Sequence, residues 1–205
     1  LYDDEVKIFW VLCGSDNNNA YLLVCPETNE SVVIDAPLNP GELIEEAKKT
    51  QVKRILITPH HRPHLEGLEE IKKATGAEVA IHKADADSMM IKPDILMEDG
   101  DIVKAGTMEI KLIHTPGHTP GHVSVCISSN DETAVITGDM MHHPCQIGRP
   151  EWVTPFDADN DAAVITRKAF LERYADKPVL VLGTHFADPV AGKIVRDGDT
   201  YRFDV

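Results

Sequence analysis

No stretch of this chain is apolar for long enough to cross a bilayer, and its opening, LYDDEVKIFW, has neither a basic flank nor an extended apolar run. These residues describe neither a spanning protein nor a leader, although a start at Leu1 rather than Met suggests a trimmed or processed end. Basic residues are scarce, 20 Lys and Arg against 34 Asp and Glu, for a formal charge of −14. A phosphate backbone or anionic lipid surface would repel such a molecule, which argues against nucleic acid and membrane and for a small-molecule substrate. Closely spaced cysteines are lacking too. Cys13, Cys25, Cys126 and Cys145 lie far apart with no C-x-x-C spacing, as expected of reduced thiols in a cytoplasmic protein. No linker, repeat or low-complexity segment divides the 205 residues, so one domain over 1–205 is expected, alone or as a homodimer.

What is present is a succession of strands bounded by Asn, Asp, Gly and Pro. VKIFWVLC, NAYLLVC and SVVIDA open the chain as a meander. NPGELIEEAKKTQ has acidic residues early and lysines late, the order a helix macrodipole favours, and KRILIT returns to a strand. Leu65 to Thr75 forms an amphipathic pattern that stops at Gly76, followed by the strand AEVAIH. TMEIKLIHT, HVSVCIS and TAVITG add three strands. Asp157 to Tyr174 is helical in pattern, and PVLVLGTH and AGKIVRDGDTYRF close the chain as strands. Runs of strands with helices between them predict an α/β protein whose two sheets carry helices on their outer faces.

Ten histidines is a high number for this length, and they cluster at predicted strand-to-loop junctions. His60, His61 and His64 follow one strand; His114, His118 and His122 fall in HTPGHTPGH; His142 and His143 follow TGDMM; His185 ends VLGTH. Any one alone reads as a polar loop residue or a satisfied core histidine. Together, with Asp139 as a carboxylate able to bridge two ions, they make a metal-binding constellation.

ILIT…HLEGL, IHTPGHTPGHVSV, ITGDMM and VLGTH, in that order, resemble the metallo-β-lactamase-fold hydrolases over nearly the whole chain. Residues from Gly138 to Phe186 resemble the branch of lactonases and organophosphate hydrolases, and glyoxalase-II-like enzymes share the fold. The resemblance implies an αββα sandwich with a site for two metals between its sheets. Its T-H-x-H-x-D-H loop falls on TPHHRPH, so Pro59 stands at the first His and Pro63 at the Asp. His61, His64, His118, Asp139 and His185 match the remaining ligands. They divide into His61, His118 and Asp139 for one ion and His64, His185 and Asp139 for the other, with Asp139 and His64 read as catalytic.

Proline ligates nothing, fixes φ and removes an N–H, so each substitution also constrains the loop. Three outcomes stay open: a mononuclear site, a dinuclear site completed by water, His60 or His143, and no functional metal. Asp35 is expected to support ligands by hydrogen bonds. His142, Trp152 and Phe156 are candidate pocket residues. The cofactor expected is one or two divalent ions, zinc first, with iron and manganese as alternatives. The function expected is hydrolysis of a small ester-like substrate, a lactone, thioester or phosphotriester. The alternatives are a metal-free binding protein and a mononuclear iron enzyme like the persulfide dioxygenases.

Overall fold

The computed structural model describes residues 6–14, 17–129 and 131–205; the opening residues 1–5, considered above for a leader, lie outside them. The first sheet contains β1 (Lys7–Cys13), β2 (Asn18–Val24), β3 (Glu30–Ile34), β4 (Gln51–Ile57), β5 (Glu78–His82) and β6 (Ile95–Met97), side by side in that order. β1 to β3 are antiparallel, and β3 to β6 run parallel. The second sheet contains β7 (Ile102–Ala105), β8 (Met108–His114), β9 (Val123–Ser129), β10 (Glu132–Ile136), β11 (Val179–Leu182), β12 (Ala191–Asp197) and β13 (Thr200–Asp204). All its pairs are antiparallel except β10 with β11.

Pleating sorts the side chains into three apolar layers. Tyr21, Leu23, Ile34 and Leu56 of the first sheet meet Ile110, Val125, Ile136 and Leu182 of the second. Their neighbours Leu22, Val33 and Ile55 pack outward on Leu43 and Ile44 of α1 (Gly41–Ala47) and on Leu68 and Ile71 of α2 (Leu68–Thr75). Beyond the second sheet, Val135 and Val181 pack on Phe170, Leu171 and Tyr174 of α4 (Asn160–Tyr174), with Ile147 of the short α3 (Cys145–Gly148) in the same cluster. The result is the expected αββα sandwich. Because β2 is buried on both faces, all seven of its residues are inaccessible.

Two helices start later than their patterns suggest. α2 begins at Leu68 because Arg62–His64 form a 3-10 turn, and it ends where Gly76 takes φ +70°. α4 begins at Asn160, with Asp159 accepting from the Ala162 N–H at 3.0 Å, because Asp157 is engaged elsewhere. β4, β8, β10 and β11 all end, and β9 begins, at one edge of the sandwich, where the Val123 N–H meets the Thr58 carbonyl across the sheets at 3.1 Å. The histidine-bearing loops therefore converge there.

Candidate metal centre

Asp139 is the centre of the convergence. It follows Gly138, whose φ of +59° lets the chain turn sharply out of β10; a Cβ there would lie 2.6 Å from His122 Nε2. His122 accepts the Asp139 N–H at 2.8 Å, and its Nδ1 lies 3.1 Å from the Thr115 carbonyl to which it donates. Burial, with the neighbouring His118, pushes His122 down to about 3, so the ring is neutral and can accept. Four imidazoles face the Asp139 carboxylate: His64 at 3.1 Å, His118 at 3.2 Å, His185 at 3.2 Å and His142 at 3.5 Å. Burial opposes ionisation, but these neighbours, His64 foremost, hold the carboxyl well below its usual range.

Donor atoms fall into two groups, His61, His118 and Asp139, and His64, Asp139 and His185, each within 4.8 Å. The structure thus brings together all five residues matched to ligands. All but His61 have their own support. His64 donates from Nδ1 to Asp35 at 3.0 Å and from Nε2 to Asp139; burial opposes the charge, yet the two carboxylates raise its pKa to about 10. Asp35, at φ +62°, also accepts the Thr58 N–H at 2.8 Å and hydroxyl at 2.6 Å. His118 is held through Nδ1 by Asp157 at 3.0 Å. The segment bearing His185 is held by Asn19, whose Nδ2 donates to the Gly183 and Phe186 carbonyls at 2.8 and 2.9 Å. His61 is different: burial and the neighbouring His118 and His60 push it down to about 4, leaving a neutral ring with a free lone pair.

These residues fit a cation. His118 Nε2 and Asp139 Oδ1 are buried without hydrogen-bond partners among the described residues. Such orphans are unfavourable unless something binds them, and imidazole with carboxylate is the donor chemistry of zinc, iron and manganese. A cavity of about 620 Å³ opens over the groups, lined also by Arg62, Pro63, His142 and Phe156.

Other expectations require correction. His60 joins neither group: its N–H and Nδ1 lie 3.2 and 3.1 Å from Asp85, which turns the ring away as strand-end alternation implies. His143 is exposed and accepts the Cys145 N–H at 3.1 Å, at the start of α3. Trp152 lies outside the cavity lining, its carbonyl held by Gln146 and Arg167. His142 and Phe156 do line the cavity.

Sequence reasoning missed Asp85 and Asp157. Asp85 is fully buried and joins the two ligand loops, accepting from His60 in one and from Thr119 Oγ1 and the Gly121 N–H in the other at 2.5 and 2.6 Å. Neither carboxylate lies beside a ligand in the chain, so spacing carried no signal for them.

No helix among the described residues is long and apolar enough to cross a membrane. A hydroxyacylglutathione hydrolase of Cereibacter sphaeroides is 36% identical over 139 residues, 66% of this chain and 52% of that protein, so the chain spans about half the length of the curated relatives it matches. Among solved structures, the hydrolase AbOPH superposes with a TM-score of 0.76 at 22% identity, covering 92% of this chain and 79% of that one. The dizinc quorum-quenching lactonase AidC gives 0.75 at 17% identity, covering 98% of each. The sequence profile of the Metallo-beta-lactamase superfamily matches residues 13–185. With this match over most of its length, the chain belongs to the metallo-beta-lactamase superfamily.

Proposed function

We propose that this protein is a metal-dependent hydrolase of a small ester-like substrate, with a thioester as the leading class. The observation that carries this reading is the pair of three-donor groups sharing Asp139 at the floor of a 620 Å³ cavity. The thioester preference draws on the hydroxyacylglutathione hydrolases among its relatives. The two groups suit zinc, and their makeup of two imidazoles and one carboxylate each also suits iron. A divalent ion bound there supplies Lewis acidity and activates water.

The chain's own residues set the geometry. Asp139, fixed through its backbone by His122 and Gly138, holds both donor groups in register. Asp35 and Asp157 orient His64 and His118 by hydrogen bonds to their distal nitrogens, which directs the Nε2 atoms inward. Pro63 leaves no carboxylate at its position in the lining, and His142, with Nε2 3.5 Å from Asp139, is the one titratable lining side chain near that carboxylate that is in neither group. We place the protein in a reducing, cytoplasmic setting on the strength of its four unpaired cysteines.

The test is elemental analysis of protein purified without chelator or added metal, followed by thioester, lactone and phosphotriester assays. One or two equivalents of zinc, iron or manganese with thioester turnover is the expected result. Metal content that stays near zero after incubation with each ion would overturn the reading. Iron as the sole metal, with oxygen uptake in place of hydrolysis, would select the iron-enzyme alternative, which the same two-imidazole, one-carboxylate groups accommodate.

A further inference from the structure

Arg167 is the largest fully buried side chain among the described residues, and no carboxylate among them lies within ion-pair distance of it, although the charge of Asp157 is felt there. It lies on α4 beside the apolar cluster of Phe170 and Leu171, where a desolvated guanidinium is expensive and a Met or Leu would pack at less cost. Its partners are all backbone carbonyls. Nε donates to Met140 at 3.0 Å, and Nη1 donates to Pro150 at 2.8 Å and Trp152 at 2.7 Å.

Those carbonyls belong to two segments that meet at the cavity. Met140 follows Asp139 directly. Pro150 and Trp152 lie in the loop that leads to Phe156, which lines the cavity, and Asp157, which orients His118. The loop is closed on itself: Gln146 Nε2 donates to the Trp152 carbonyl at 2.9 Å, and the Thr154 N–H donates to Asp157 at 3.1 Å. It leaves Trp152, Val153 and Phe156 exposed at 53%, 44% and 69%. Apart from Pro63, Phe156 is the only apolar side chain in a lining of histidines, Arg62 and Asp139. An apolar part of a substrate therefore has one wall on which to rest.

We propose that Arg167 is a positioning residue: by clamping the carbonyls of Met140, Pro150 and Trp152 it fixes Phe156 as a specificity wall that selects substrates with an apolar acyl or leaving group. Lysine keeps the charge but has no planar fork to hold two segments at once, so R167K separates the clamp from the charge. The kinetic test rests on the hydrolase reading; a binding test does not.

For the kinetics, hexanoyl and phenylacetyl thioesters are compared with the acetyl thioester in the metal-loaded wild type, F156A, R167K and the double variant, with metal content and circular dichroism checked for each. The expected result is a fall of about tenfold in the preference for the apolar acyl groups in F156A and in R167K, expressed in KM rather than kcat, with metal content retained. The double variant should be no less selective than F156A alone, since both changes act on one wall. Unchanged selectivity in folded F156A would overturn the wall. If R167K fails to fold, or folds with its selectivity intact, Arg167 is structural and the positioning claim is wrong.

Should no ester or thioester be turned over, the hydrolase reading fails and binding decides this one. The chain has two tryptophans, so W10F leaves Trp152 as the sole indole reporter, excited at wavelengths where the four tyrosines do not absorb. Saturable change in its emission on titration with phenylacetate or hexanoate, lost in W10F/F156A, supports the wall. No saturable change overturns it.

Discussion

His61 and His64 lie three residues apart in one loop, and each contributes to a donor group containing Asp139, yet their environments drive them in opposite directions. His64 is almost fully inaccessible and lies between two carboxylates, 3.0 Å from Asp35 and 3.1 Å from Asp139, so it carries a proton up to about pH 10. His61 is half-buried, surrounded by imidazoles, and stays neutral down to about pH 4. The more buried ring is the charged one. Burial alone would give the reverse order, so the placement of carboxylates outweighs desolvation here. In the metal-free protein the His64 proton occupies a place that a cation would take, whereas His61 offers its lone pair at once.

Removing the residue the two groups share should have the largest effect. D139A is expected to lower metal content from one or two equivalents to near zero and hydrolysis by well over about a hundredfold, more than loss of an outer-shell partner costs. Elemental analysis beside a thioester assay checks both, and retention of a full equivalent would show that the groups are independent.

Next is the contrast itself. In chelator-treated protein, H64A leaves the carboxylates of Asp35 and Asp139 buried with no cation between them, and should destabilise the fold by about 3–5 kcal/mol. H61A removes a ring with no hydrogen bond of its own and should cost under about 1 kcal/mol. Urea unfolding of the two variants compares them directly, and equal losses would mean that the charge pattern around His64 has been misread.

The sandwich could be read from the sequence because apolar runs bounded by Asn, Asp, Gly and Pro mark most of its strands and Gly76 marks a helix end. β6 and β7 were missed because three and four residues are too few to show a period. The converging positions of His61, His64, His118, Asp139 and His185 were legible because each closes a strand or a Gly-containing turn at the same edge. Partnerships set by tertiary packing were not. Asp85 comes from a 3-10 turn after β5, Asp157 from the loop before α4 and Arg167 from the middle of α4, and nothing local distinguishes them from solvated charges. That His60 points away follows from strand-end alternation, but its partner Asp85, 25 residues away, was not legible.

A smaller effect should follow from refilling the loop. Asp at position 63 would stand beside His61 at the cavity lining, and His at 59 would replace a buried ring. P59H/P63D is expected to tighten metal at both groups, the imidazole at 59 completing the His61 group and the carboxylate at 63 the His64 group, each by at least about ten- to a hundredfold, the scale of a single supporting interaction. Competition with a chromophoric chelator, resolved into two binding steps, measures this. Tightening of neither step would show that the prolines are not what weakens the two groups.

The measurement that tests both histidines together is the pH dependence of stability in chelator-stripped protein. His64 has a folded pKa of about 10 against about 6.5 when unfolded, so its contribution is complete below pH 6.5 and is lost as pH rises toward 10. His61 has the opposite sign. Its folded value of about 4 means that the unfolded chain takes up the proton first, so stability is lost as pH falls from 6.5 toward 4, by an amount that solvent screening keeps small at a half-exposed ring. Urea midpoints at pH 5, 6.5 and 9 should therefore peak at the middle value as far as these two groups are concerned. H64Q should reduce the alkaline limb, to which the raised His118 also contributes, and H61Q should remove only a small part of the acid limb, most of which belongs to the fully buried His122 with its folded value of about 3. Saturating zinc should flatten the alkaline limb in the wild type, because the ion replaces the proton whose loss produces it. An alkaline limb unchanged in H64Q would place its origin elsewhere in the chain and remove the contrast between the two rings.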